Sequence, residues 1–186
     1  MNSATSVNNC YLPAWQQRGQ TFTHWGKDQT GLISYQINAQ GFRHQRNYDW
    51  APRTAIFGNS IVFGVGVDYD SILCNLLPDT QNYGLSGTDY FNHHSVTNLA
   101  QFVATPLYQP STQIVFFWID RDEGIDGQIQ LVNQLCPRTL HISSGQPRAG
   151  AVNLMPQVDQ DVSGTHPGPR THQVWARTIQ LLLDRA

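Results

Sequence analysis

Charge is scarce in this chain. Only 13% of its 186 residues are Asp, Glu, Lys or Arg, about half the usual share, and a single lysine, Lys27, stands against ten arginines. The formal net charge is −2, with Asp+Glu at 13 and Lys+Arg at 11, which removes the basic footprint of a general nucleic-acid binder. Long apolar runs are missing too; none approaches the roughly 18 residues that cross a bilayer, so no membrane partner is expected. The three cysteines, Cys10, Cys74 and Cys136, are an odd count without CxxC spacing, which argues against a disulfide framework and a zinc knuckle. Cys74 and Cys136 lie in apolar runs and read as buried hydrophobes. No HxH, HxxxH or HExxH spacing occurs, so neither a metal nor a cofactor is expected. What is present is apolar and aromatic weight, 40% and 11%, enough for a core without staples. Blocks of like charge, internal repeats and low-complexity linkers are absent, and the length suits one domain.

Residues 1–52 show no sustained helical period. Ile33-Ser34-Tyr35-Gln36-Ile37 alternates as a half-buried strand does, and the glycines around it punctuate an irregular arm or hairpin packed on a later core. From residue 53 to 186 the pattern changes. Thr54 to Phe57 is an apolar run stopping at Gly58, as a buried parallel strand would. Further strands are expected at 81–83, 114–119 and 140–142. Helices are expected at 70–77, 88–104, 127–136 and 171–185. Strands alternating with helices imply right-handed crossovers and a mostly parallel sheet, a three-layer α/β/α domain. In such sheets ligands bind outside the carboxyl ends of the strands, and polar groups collect there: Gly58-Asn59-Ser60, the turn 84–87, Asp120-Arg121-Asp122, and the loop 163–168.

Ser60 follows a strand and a glycine, where nearby N–H groups favour negative charge. Val62 rules out a GxSxG elbow. FGVGV at 63–67 is neither GxGxxG nor a P-loop. The stretch IFGNSIVFGVGV (56–67) resembles the first block of the SGNH/GDSL hydrolases, with Asn59 where that family usually has Asp. NYGLSGTD (82–89) resembles the second block, with Gly87 at the oxyanion glycine, and GTHPG (164–168) resembles the last, with His166 at the catalytic histidine. Asn38-Ala39-Gln40-Gly41-Phe42-Arg43 is similar to an N-x-x-G-F-R turn upstream of the nucleophile in some bacterial and phage members. The resemblance implies a flavodoxin-like fold and a serine esterase, acting on an O-acyl group such as acetyl on a carbohydrate. Ser60 would be nucleophile, His166 base, and the N–H groups of Ser60 and Gly87 the oxyanion donors. Two departures stand out. The GxND block is replaced by WIDRDE (118–123), with Arg121 nearest the missing Asn and able to donate the same bond. The DxxH acid position is Ser163, so the third member falls to Asp161, with Asp159 or a Ser–His dyad as alternatives. Loss of these supports defines the rival expectation, a catalytically decayed domain that binds or builds, such as a virion component.

Other residues read more plainly. His141 is expected as a satisfied core histidine and His172 as a surface one. His93 and His94 face different ways on their helix. Trp118 and Trp175 read as core. Trp15, Trp25 and Trp50, with Tyr11, Phe22, Tyr35 and Tyr48, read as pins for the arm; the alternatives are stacking on a sugar ring, self-association or a virion partner. The N-terminus lacks the basic start and apolar stretch of a Sec signal, leaving cytoplasm, virion assembly or another export route as expectations.

Overall fold

The structure, a computed structural model, describes residues 10–25, 32–87, 91–119, 124–143, 150–154, 157–162 and 164–185. Their centre is a five-stranded sheet: β3 (Thr54–Gly58), β4 (Thr80–Gly84), β5 (Gln113–Trp118), β6 (Leu140–Ser143) and β7 (Val152–Asn153), in the order β4-β3-β5-β6-β7. Every neighbouring pair is parallel. The two-residue period of a strand sorts its side chains to opposite faces. Ala55, Phe57, Phe116 and Trp118 join one buried cluster with Leu99 and Phe102 of α3 (Phe91–Val103) and Val132 of α4 (Ile125–Leu135). Ile56, Val115 and Phe117 join the opposite cluster with Trp175, Ala176, Ile179 and Leu183 of α5 (Pro169–Leu183). The result is three layers, with the doubly wound strand order of flavodoxin-like folds.

Before the sheet, β1 (Thr21–Trp25) and β2 (Leu32–Gln36) form an antiparallel hairpin. The expected alternation is realised in β2 and just beyond it: Ile33, Tyr35 and Ile37 are buried against Phe63, while Ser34 and Gln36 are exposed. The rest of the arm covers the outer edge of β4. Tyr48 Oη donates to the Asn82 carbonyl at 2.7 Å and accepts its N–H at 2.8 Å. Gln81 Nε2 reaches the Trp50 carbonyl at 2.7 Å. A strand edge left open would be a template for another chain; here the arm occupies it.

One expected helix is broken. In place of a continuous helix over 70–77 there is a single 3-10 turn (Tyr69–Ser71), an extended Ile72 with ψ 152°, and one α-turn, α2 (Leu73–Leu76). Ile72, Leu73 and Cys74 are all buried, and three successive residues cannot share one helix face. The break lets all three turn inward. It also frees the Leu73 N–H to donate to His172 Nδ1 at 3.0 Å. His172, expected at the surface, is therefore only 1% exposed. His141 does sit satisfied in the core, accepting from Trp118 Nε1 at 3.0 Å and meeting Asn133 Oδ1 at 2.9 Å.

Candidate active site

β3 runs straight into a helix of one turn, α1 (Ser60–Phe63). Asn59 is its N-cap, with Oδ1 accepting the Ile61 N–H at 2.8 Å. A neutral amide thus performs the cap of a carboxylate, and Ser60 stands at the first helical position, where an N–H has no intrahelical acceptor. Gly64 closes the helix in the left-handed region, φ +81°, as a C-cap glycine does. Gly84 packs so closely under α1 that a Cβ there would overlap the Phe63 backbone.

His166 reaches Ser60 across 106 residues of chain, its Nε2 lying 3.0 Å from Ser60 Oγ. It is carried by a loop that closes on itself. The Asp161 N–H donates to the His166 carbonyl at 2.8 Å, and Gln160 bridges Pro167 in antiparallel fashion. Inside this loop Asp161 Oδ1 accepts the N–H groups of Thr165 and His166 at 3.1 Å each. Asp161 Oδ2 lies 3.7 Å from His166 Nδ1, its side chain fully buried while the histidine's is 27% exposed. Thr165 Oγ1 also meets Nδ1, at 2.9 Å. The five-residue spacing from Asp161 to His166 is thus spanned by a closed loop.

Asp159, the alternative acid, faces elsewhere. Its carboxylate accepts the N–H groups of Arg170 and Thr171 at 2.9 and 2.7 Å and the Thr171 hydroxyl at 2.6 Å. It caps α5, whose own N-cap, Gly168, has no side chain to do so. Partial burial pushes its carboxyl up, but these donors outweigh that and hold it below the usual range.

At the neighbouring strand end, Leu85 N–H donates to the Gly58 carbonyl at 2.9 Å, tying the turn after β4 to the end of β3. Gly87 follows in the left-handed region, φ +69°, under Trp15, whose Nε1 is 2.9 Å from where a Cβ would sit. Trp15 Nε1 donates to the Ser86 carbonyl at 2.8 Å, and the indole packs edge-on against Phe63. The arm therefore touches the site. Arg121 and Ser163 lie outside the described residues. Next to that region, buried Asn92 of α3 clamps Ile119 at the end of β5 through both its donor and its acceptor, at 2.9 and 3.0 Å.

Several residues near the site have a role that the sequence did not assign. Arg43 is fully buried and donates from Nη1 to the carbonyls of Phe63 and Gly64, and from Nη2 to that of Val67. Burial pulls its pKa down to about 10, so it remains a cation at neutral pH. Gly66 lies directly against the Asp161 carboxylate, leaving no room for a Cβ, and its N–H donates to Tyr35 Oη at 2.7 Å. His172, behind the site, is pushed down to about 4 by burial, with the Arg43 charge acting in the same direction. The NxxGFR turn and the FGVGV glycines were visible in the sequence; their meeting was not. Among the described residues, no group of three or more His, Cys, Asp or Glu side chains converges as a metal would require.

No family model and no curated protein matches the chain. Among solved structures it is similar to the crystal structure of a member of the lipolytic protein G-D-S-L family from Veillonella parvula DSM 2008. The TM-score is 0.52 at 14% identity, over 72% of this chain and 98% of that one. At that identity the likeness is one of fold.

Proposed function

We propose that this chain is a serine ester hydrolase working by acyl transfer. The observation that carries the reading is the 3.0 Å contact between Ser60 Oγ and His166 Nε2, with the Asp161 carboxylate behind the ring. The lipolytic description of the similarly folded protein points the same way. Ser60 Oγ attacks the ester carbonyl while His166 Nε2 takes its proton. A proton on Nδ1 meets Thr165 Oγ1 at 2.9 Å, and the Asp161 carboxylate, 3.7 Å away, stabilises the imidazolium through its charge; that contact tightens as charge develops on the ring. The N–H groups of Ser60 and Gly87 hold the oxyanion; Arg121, which lies outside the described residues, is the candidate for a third donor that the resemblance implies. Losing one such donor typically costs on the order of 10²–10³ in turnover. His166 then returns the proton to the leaving alcohol, and water releases the acyl group. The substrate is an O-acyl ester, with acetyl on a carbohydrate as the first class to screen.

Hydrolysis of p-nitrophenyl acetate by the wild type and Ser60→Ala, from pH 5 to 9, tests this. The wild-type rate is expected to rise with pH through the ordinary histidine range, near about 6.5, and to vanish in the variant. Equal background rates, with no labelling of Ser60 by a fluorophosphonate, overturn the reading in favour of a binding domain on the same scaffold.

A further inference from the structure

Arg43 is a buried cation without a carboxylate partner within ion-pair distance among the described residues. Such a charge is costly unless its donors are satisfied; here backbone oxygens take up Nη1 and Nη2, while buried Nε makes no hydrogen bond. Nη1 donates to the Phe63 carbonyl at 3.2 Å and to that of Gly64, and Nη2 to that of Val67 at 2.6 Å. The guanidinium carbon lies 4.4 Å from the centroid of the Tyr35 ring. The Phe63 and Gly64 carbonyls belong to the end of α1, where a helix leaves C=O groups without intrahelical donors. Arg43 therefore fastens the turn that leads out of the serine-bearing helix.

That same turn touches the acid. Gly66, within it, is held on one side by Tyr35 Oη and lies against the Asp161 carboxylate on the other. Its carbonyl accepts the Val162 N–H at 3.4 Å, joining the turn to the loop that carries His166. A chain of contacts thus runs from Arg43 through residues 63–67 to Asp161, and from there to the imidazole.

We propose that Arg43 is a positioning residue which, by fastening the turn 63–67, makes Gly66 the wall that seats the Asp161 carboxylate toward His166. Its effect on turnover rests on the serine-hydrolase reading; its effect on the imidazole does not. Arg43→Met removes the donors and keeps the aliphatic stem. Arg43→Lys keeps the charge, but one ammonium cannot span three carbonyls. Gly66→Ala disturbs the same wall without touching Arg43.

The readout is the titration of the His166 ring nitrogens by NMR in the full chain, beside turnover of p-nitrophenyl acetate. A seated carboxylate favours the protonated ring, so Asp161→Asn lowers the His166 titration midpoint. Arg43→Met and Gly66→Ala are expected to lower it in the same direction, Arg43→Lys to restore part of the shift, and Arg43→Met with Asp161→Asn to match Asp161→Asn alone. In turnover, Arg43→Met is expected to reduce kcat on the order of 10–100-fold with KM little changed, and to add almost nothing in the Asp161→Asn background. A wild-type His166 titration in Arg43→Met, with kcat losses that multiply across the two sites, overturns the proposal and leaves Arg43 a stability residue. If Arg43→Met does not fold, Arg43→Lys, alone and in the Asp161→Asn background, decides by the same comparison. A wild type with no turnover but with these titration shifts sinks the hydrolase reading and sustains the positioning role.

Discussion

Oδ1 of Asp161 accepts the N–H groups of Thr165 and His166, and Oδ2 faces the imidazole. In the proposed mechanism, structure and chemistry are thereby divided between two atoms of one side chain, and a substitution can separate them. Asp161→Asn keeps an acceptor for the loop but turns an N–H donor toward His166 Nδ1. That favours the tautomer whose Nε2 carries the proton and cannot accept from Ser60. The expected outcome is a fall in kcat of about 10³–10⁴-fold, with a melting temperature within about 3 °C of wild type. Asp161→Ala would instead orphan two backbone donors and confuse the two effects. Asn59 shows a related economy of chemistry: its amide oxygen keeps the helix cap without placing a charge in a site that is 3% exposed.

A four-residue helix has no stability of its own. α1 exists because its surroundings hold it: the Asn59 cap at one end, Arg43 at the other, and β4 beneath. The β4 contact depends on Gly84, since any Cβ there meets the backbone of Val62 and Phe63. Backbone yields less readily than a side chain, so Gly84→Ala is expected to lower unfolding stability by about 1–3 kcal/mol. Urea denaturation measures this. A midpoint equal to wild type would show that α1 can lift away from the sheet without loss, contrary to the packing described.

The strand order places β3 between β4 and β5, so the crossovers leave β3 on opposite sides and a crevice opens at its carboxyl end. Ser60 sits there, and the loop before α5 brings His166 to it from the far end of the chain. The same compactness buries histidines in their neutral form. Burial lowers the pKa of His44, His141 and His172, the last to about 4. An unfolded histidine binds its proton near about 6.5, so the folded protein resists protonation that the unfolded chain accepts. His172 therefore contributes stability that is fully present above pH ~6.5 and lost as the pH falls toward 4, by about 1.4 kcal/mol per unit at most. His172→Asn keeps an acceptor for the Leu73 N–H and cannot titrate. Its loss of stability between pH 7 and pH 4.5, read by urea unfolding, is expected to be smaller than wild type by about 2 kcal/mol. Parallel losses in the two proteins would show that His172 ionises in the fold without penalty.

The sequence by itself determined the layers. Thr54 to Phe57 and Ile114 to Trp118 announce buried parallel strands, and α5 declares its inner face through Trp175, Ala176, Ile179 and Leu183, because strand and helix periods are local properties written residue by residue. It also carried the short blocks around Ser60, Gly87 and His166, since strand-end turns need particular residues at particular places. Tertiary structure decided what those periods cannot encode. Ile72 to Cys74 have the spacing of a helix, yet burial of all three breaks it. His172 looks like a surface residue until α2 is laid against α5. Asp161 and Asp159 both lie within reach of His166 on spacing, the first preferred and the second its alternative, and only the closed loop turns Asp159 to the helix cap and Asp161 to the imidazole. Contacts spanning 106 residues, such as Ser60 with His166, are set by the path of the sheet rather than by neighbours in the chain. The same holds for Arg43, whose partners at 63, 64 and 67 become one site only after the arm folds back over the serine-bearing helix.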